Sequence, residues 1–186
     1  KSGLLQLPMA IVMMSLAPQV PRLVARFGAH RVVPAGLSST ALGLFVFSQM
    51  TVSSPLWSIY LSVIPLATGM ALTMTPLTTL IMASVPLNRA GVGSAMNDTT
   101  RELGGSLGVA VFGSLLASRY ASQLSDTVRQ LPAQAADAVS GSLAGALRVA
   151  GAAPESQGAG LAGAAKSAWM DGFRFALLIA GLVVAV

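Results

Sequence analysis

Long stretches without a single charged residue dominate this chain, with short polar or basic segments between them. Uncharged, mainly apolar runs cover Leu4–Val20, Val32–Met50 and Leu56–Val85. A bilayer crossing takes roughly 20 apolar residues, so each run predicts a transmembrane helix. Pro8, Pro18, Pro65 and Pro76 fall inside these runs. Membrane helices tolerate proline because their neighbours satisfy the freed backbone groups. The thirty-residue third run exceeds a straight crossing and is expected to tilt, bend at its prolines or extend past the membrane. A fourth helix is predicted from Gly93 to about Ser118–Tyr120, and a fifth over about 169–186. Trp57, Tyr60 and Trp169 stand at the starts of helices, where amphipathic rings mark a membrane–water interface. Between the last two spans, 119–168 is rich in Ala, Ser, Gly and Gln. It reads as a long extracytoplasmic loop with a weak surface helix over Ala133–Leu147 and a flexible Gly-rich stretch over Ala150–Gly163.

Composition supports this reading. Of 186 residues, 54% are hydrophobic and 9% charged, with a mean hydropathy of +0.73. Soluble domains carry about 25% charged residues, so much of this surface must face lipid. The fold class is therefore all-α, a polytopic membrane helix bundle. The net charge of +5 is too dispersed for a nucleic-acid patch, and 5% aromatics offer few stacking platforms. Absence of cysteine excludes disulfides and thiolate chemistry. His30, the single histidine, lies in a loop. No metal-ligand spacing or nucleophile–base pair stands out, and no catalytic residue is assigned. Both ends read as cut from a longer chain: Lys1–Leu7 lacks a starting Met, and Val186 closes an apolar run without a polar flank.

Loop charges set the orientation. The segments 21–31 and 86–92 lie on one side and together hold four arginines (Arg22, Arg26, Arg31 and Arg89) and no acid. The loop after the second span, on the other side, is uncharged. The arginine-bearing loops are expected to be cytoplasmic.

The fourth helix carries the candidate chemistry. Asp98, Arg101 and Glu102 interrupt an otherwise apolar segment, directly after Asn97. At about 100° per residue they share an arc of roughly 100° with Ser94 and Gly105, opposite Met96, Thr100, Leu103 and Leu107. That face is expected to avoid lipid. Counting back about 20 residues from Tyr120 places the trio near the inner edge of the hydrocarbon, beside a cavity or gate. Charges at such depth are costly and usually paired. Asp98 and Arg101 can pair at i, i+3. The trio admits three roles: a structural ion network, a gate-stabilising pair, or a proton site on Glu102 or Asp98. Gly104, Gly105 and Gly108, with a second stripe of Ser106, Ala110, Ser114 and Ser118, are expected to let neighbouring helices approach closely.

These residues carry a resemblance. Gly91, Gly93, Asn97, Arg101-Glu102, Gly104-Gly105 and Gly108 resemble the thirteenth helix of the fourteen-helix drug/proton antiporters of the major facilitator superfamily, the EmrB/QacA type. PRLVARFGAHR is similar to the degenerate second copy of that superfamily's cytoplasmic motif, G-x-L-A-D-R-F-G-x-R-R. Leu23, Arg26, Phe27, Gly28 and Arg31 match; Pro21, Ala25 and His30 replace the usual Gly, Asp and Arg. Arg22 lies in the same motif, and AWMDGFRFALL, from Ala168, looks like the start of the last helix. The resemblance implies helices ten to fourteen, part of the C-terminal half of a plasma (inner) membrane multidrug efflux antiporter working by alternating access. It implies no cofactor, the proton gradient as energy source, and a lipophilic or cationic small molecule as substrate. It also implies partnership with the bilayer and with an N-terminal half of the same chain that is not in this sequence. The alternatives are a non-transport polytopic protein, such as an assembly factor or sensor, and, more remotely, an intramembrane enzyme.

Overall fold

The computed structural model describes residues 2–51 and 54–185, and every regular element among them is helical. The helices are α1 (Ser2–Leu16), α2 (Val20–Phe27), α3 (Ala29–Ser48), α4 (Leu56–Ala83), α5 (Ala90–Val128), α6 (Ala133–Gly141), α7 (Leu143–Ala152) and α8 (Glu155–Ala185), with a 3-10 turn at Leu87–Arg89. Among the described residues, three helical stretches are long and apolar enough to cross a membrane: Ala29–Ser48, Trp57–Ala83 and Ser156–Ala185. Neither α1, only 15 residues long, nor α5, which carries the charged trio, is among them. The chain divides into two compact units, Lys1–Gly108 with Leu178–Val186, and Val109–Leu177.

In the first unit α3 packs along α4, with α1 also against α4 and α2 against both α3 and α4. The α3–α4 contact is built from missing side chains. A Cβ on Gly36 would lie 2.6 Å from Thr73 Oγ1 and 3.0 Å from the Gly69 carbonyl. One on Gly43 would come within 2.8 Å of the Leu66 amide nitrogen, and one on Gly69 within 2.5 Å of the Gly36 carbonyl. Between helices in lipid, such close backbone approach supplies the dispersion contact that apolar side chains cannot supply by excluding water. Ser39 Oγ donates to the Pro65 carbonyl at 2.8 Å across the same contact. Further along α3, Gly181 of α8 lies against Ala41 and Leu44, its notional Cβ 3.6 Å from both.

Two segments differ from the sequence expectation here. Pro18 shortens the first run, so α1 stops at Leu16. The segment 21–31, expected as a loop, is mostly helical: Pro21 occupies the first turn of α2, and Val20, Leu23, Val24 and Phe27 form an i, i+3, i+4, i+7 apolar stripe. Gly28 separates α2 from α3 at φ +79°, where an L-residue is strained. A Cβ there would also meet the His30 ring at 2.6 Å.

The second unit is helical where a long loop with one weak surface helix over Ala133–Leu147 was expected; that helix is present, as α6 and the first half of α7. α5 continues to Val128, α6 packs on α7, and α8 begins at Glu155, so the Gly-rich stretch is largely helical. Its buried cluster joins Tyr120, Leu124, Val139, Leu161 and the alanines 146, 150, 165 and 168. Alanine is the best helix former, and small residues let these short helices touch by their backbones: Gly145 lies against the Ala138 carbonyl, and Gly158 against that of Ala150. Ser142 starts α7, its hydroxyl accepting from the Gly145 amide at 3.0 Å. α6 ends at Gly141, which leaves late carbonyls without helical donors; Tyr120 Oη donates to that of Val139 at 3.0 Å. Trp169 stacks on Phe173 at 5.3 Å, and Phe112 meets Phe173 edge-on at 5.7 Å.

These contacts make two stability predictions. Gly69→Val should destabilise the α3–α4 packing by about 1–3 kcal/mol, read as a lower melting midpoint in detergent; an unchanged midpoint would remove the glycine contact from the account. Tyr120→Phe should cost about 1–3 kcal/mol by stranding a buried carbonyl. Hydrogen exchange should then speed up in α6, and equal exchange in variant and parent would show the hydroxyl to be dispensable.

Candidate functional site

The charged trio sits on the first half of α5. Behind the 3-10 turn, Gly93 packs on Val85, where a Cβ would meet the valine side chain at 2.9 Å, and this fixes the start of the helix. Asn97, one turn on, is buried at 8% exposure. From Asp98 to Val111 every residue is exposed, so this stretch of α5 is covered on no side by the described residues. Asp98, Arg101 and Glu102 make no ion pair within 4.0 Å, with each other or with any other described residue. The i, i+3 pair that the spacing allows is therefore not formed. Gly91, Gly104, Gly105 and Gly108 have nothing within 4 Å of a notional Cβ. The small face expected to pack against neighbours meets none among the described residues.

The structure thus keeps the trio on one helix with Asn97 but, among the described residues, brings no second element to it. Around that helix, Met96, Leu103 and Leu107 are 59–66% exposed. A helix with apolar residues on one face and three charges on another cannot present both to hydrocarbon, because each intramembrane charge costs several kcal/mol. Its chemistry is that of an uncovered acid–base surface: two carboxylates able to carry a proton or attract a cation, and a guanidinium able to pair with either.

The motif residues of segment 21–31 are placed separately. Arg22 and Arg26 project from the polar face of α2, Gly28 makes the break, and Arg31 opens the first turn of α3; all three arginines are exposed. No acidic residue occurs anywhere before Asp98, and none of the three has an acidic partner among the described residues.

One surface escaped the sequence reading. Met74, Thr75, Thr78, Thr79, Met82 and Ala83 line an open cavity of about 660 Å³ on α4. Thr79 Oγ1 bonds back to the Thr75 carbonyl at 2.9 Å, so its hydroxyl is satisfied within the helix. The surface can therefore receive an apolar molecule without stranding that donor. The spacing of these residues at i, i+1, i+4 and i+5 was visible in TMTPLTTLIMA, but the run reads first as generic membrane helix.

Because the chain holds no cysteine, the α5 surface is open to a direct test. In membranes, Glu102→Cys should react readily with a charged, water-soluble thiol reagent. Leu103→Cys, on the opposite side of the helix, should be at least about tenfold slower, as expected for a residue facing lipid or protein. Reversed rates would show that the charged face does not reach water.

Comparisons with known proteins agree with this architecture. Residues 1–109 match the family model for the Major Facilitator Superfamily. The chain is 38% identical over 125 residues to the multidrug resistance protein Stp of Mycobacterium tuberculosis, covering 66% of this chain and 23% of that protein. It is 28% identical over 181 residues to the methyl viologen resistance protein SmvA of Salmonella typhimurium, covering 97% of this chain and 36% of SmvA. It is also 28% identical over 183 residues to the multidrug efflux pump LfrA of Mycolicibacterium smegmatis, covering 98% and 36% respectively. The chain therefore spans between about a quarter and a third of the length of these relatives. With the all-α architecture, its membrane-length apolar helices and a family match over more than half its length, this chain is an integral membrane protein belonging to the major facilitator superfamily.

Proposed function

We propose that the protein containing this chain exports lipophilic, often cationic, compounds across the plasma membrane in exchange for protons. The family match, together with relatives named for multidrug resistance, multidrug efflux and methyl viologen resistance, supports export of foreign small molecules. The observation that carries the reading for this chain is the uncovered stretch of α5, with Asp98, Arg101 and Glu102 unpaired on one face and Gly104, Gly105 and Gly108 bare. In a bilayer such a surface needs protein or water against it. We assign its cover to the remaining helices of the transporter, among them an N-terminal half, and to the aqueous pathway between them.

In this mechanism Arg101 pairs with one carboxylate in one state of the alternating-access cycle and releases it in the other. The freed carboxylate takes the proton or meets the cationic cargo, and Asn97 holds the buried side of the helix in place. Inverted repeats rocking about a midplane site provide the movement. The threonine- and methionine-lined surface of α4 offers an adaptable wall for lipophilic cargo. The arginine-bearing segments 21–31 and 86–92 face the cytoplasm, by the excess of basic residues there. The energy source is the proton gradient, no cofactor takes part, and the protein acts as a transporter and not as an enzyme. No observation favours an assembly factor or sensor.

The test is efflux of a fluorescent cationic dye from cells or proteoliposomes carrying the intact protein. Replacing Asp98 and Arg101 together with alanine should bring proton-driven efflux close to background while the protein is still made and inserted. Full efflux by that double variant would remove the cluster from the mechanism. Efflux by the parent that ignores a protonophore would remove proton coupling.

A further inference from the structure

The end of the first unit that carries α2 holds a cleft that the export cycle does not use. Leu23 and Phe27 of α2, Arg31, Val32 and Ala35 of α3, and Leu72 of α4 enclose about 290 Å³. The wall is apolar throughout, so Arg31 lines it with its aliphatic stem and carries its guanidinium at the rim. Arg26, beside Phe27 in sequence, holds its guanidinium over that ring, 5.4 Å from the centroid. Arg22 lies one turn back on the same face of α2 as Arg26. The cleft thus combines an apolar slot with a basic mouth. The mouth lacks a counter-charge, because the chain has no acid before Asp98 and these arginines have no acidic partner among the described residues.

We propose that this cleft binds an anionic phospholipid of the surrounding leaflet, one acyl chain in the slot and the phosphate headgroup on Arg31, Arg26 and Arg22. Three arguments select this occupant. Three guanidiniums repel a cationic cargo and attract a phosphodiester, to which arginine bonds with two parallel N–H donors. A covering segment in extended form would bring unpaired backbone amides to a wall that offers them no partner, at a cost of several kcal/mol each in hydrocarbon; an acyl chain brings none. The volume lies just under the roughly 300 Å³ at which small-molecule pockets begin, which suits one chain of a lipid better than a whole drug-sized ligand. Ala25 contributes to the arrangement: a carboxylate at that position of α2 would sit between Arg22 and Arg26 in sequence and compete with the phosphate. The proposal concerns lipid binding and holds whether or not the protein exports drugs by proton exchange.

The test uses the intact purified protein in detergent, titrated with phosphatidylglycerol, phosphatidylcholine or inorganic phosphate and read by native mass spectrometry. The parent should retain phosphatidylglycerol in preference to phosphatidylcholine. Changing Arg22, Arg26 and Arg31 to Gln should lower that preference by about fivefold for each residue changed. The same three positions changed to Lys should keep most of it, which separates loss of charge from loss of folding. In nanodiscs, Phe27→Trp should gain fluorescence quenched by brominated phosphatidylglycerol more than by brominated phosphatidylcholine, relative to the parent tryptophans. An unchanged preference in the Gln variant overturns the proposal. So does competition by inorganic phosphate at lipid concentrations, since the slot would then add nothing. Added emission in the Phe27→Trp variant that is indifferent to both brominated lipids also overturns it, by showing that a protein segment covers the cleft.

Discussion

Close approach of helix backbones is the constraint on which the first unit depends. Lipid tails are as apolar as leucine, so a pair of membrane helices gains nothing from excluding water and must gain by contact. The α3–α4 pair meets that requirement at Gly36, Gly43 and Gly69, where even a methyl group would collide with the facing backbone or side chain. The same closeness brings Ser39 within hydrogen-bond reach of the Pro65 carbonyl, on a helix whose prolines have already removed two amide donors. With α3 and α4 locked, α2 has a surface for its apolar stripe, and its arginines are turned outward at the end of the unit.

The first half of α5 obeys the opposite rule. Gly104, Gly105 and Gly108 could support equally close contacts, yet nothing lies within 4 Å of them among the described residues, and the three charges on the same helix make no ion pair there. The chain covers 23–36% of the length of its relatives, and on the proposed reading the rest of the transporter covers this surface: glycines of this kind permit close approach, and charges at membrane depth call for protein or water against them.

Much of the helical plan was legible because charge is so rare. Uncharged runs at 32–50 and 56–85 correspond to helices Ala29–Ser48 and Leu56–Ala83, displaced by at most three residues at any end. Where the reading followed charge alone it lost structure. Arg22, Arg26 and Arg31 suggested a loop, although Val20, Leu23, Val24 and Phe27 already showed helical spacing. Within 119–168 only the weak helix over Ala133–Leu147 was legible, corresponding to α6 and the first half of α7; the extension of α5 and the early start of α8 were hidden for another reason. Alanine and glycine produce little contrast between faces, so periodicity is faint even where packing is dense. Of the candidate site, the identity and common face of Asp98, Arg101 and Glu102 could be read from spacing. What lies against them could not, since pairing depends on elements distant in sequence. The methionine and threonine wall of α4 was hidden by its resemblance to ordinary span composition.

The alanine-rich cluster of the second unit has a thermal consequence. Alanine and glycine surrender no side-chain rotamers on folding, so Ala146, Ala150, Ala165 and Ala168 are ordered at the cost of their backbone freedom alone. They also bury little apolar area, and the heat-capacity change of unfolding grows with that area. A core of this kind gives a shallow, broad stability curve: modest at its maximum, and slow to fall away on cooling as well as on warming.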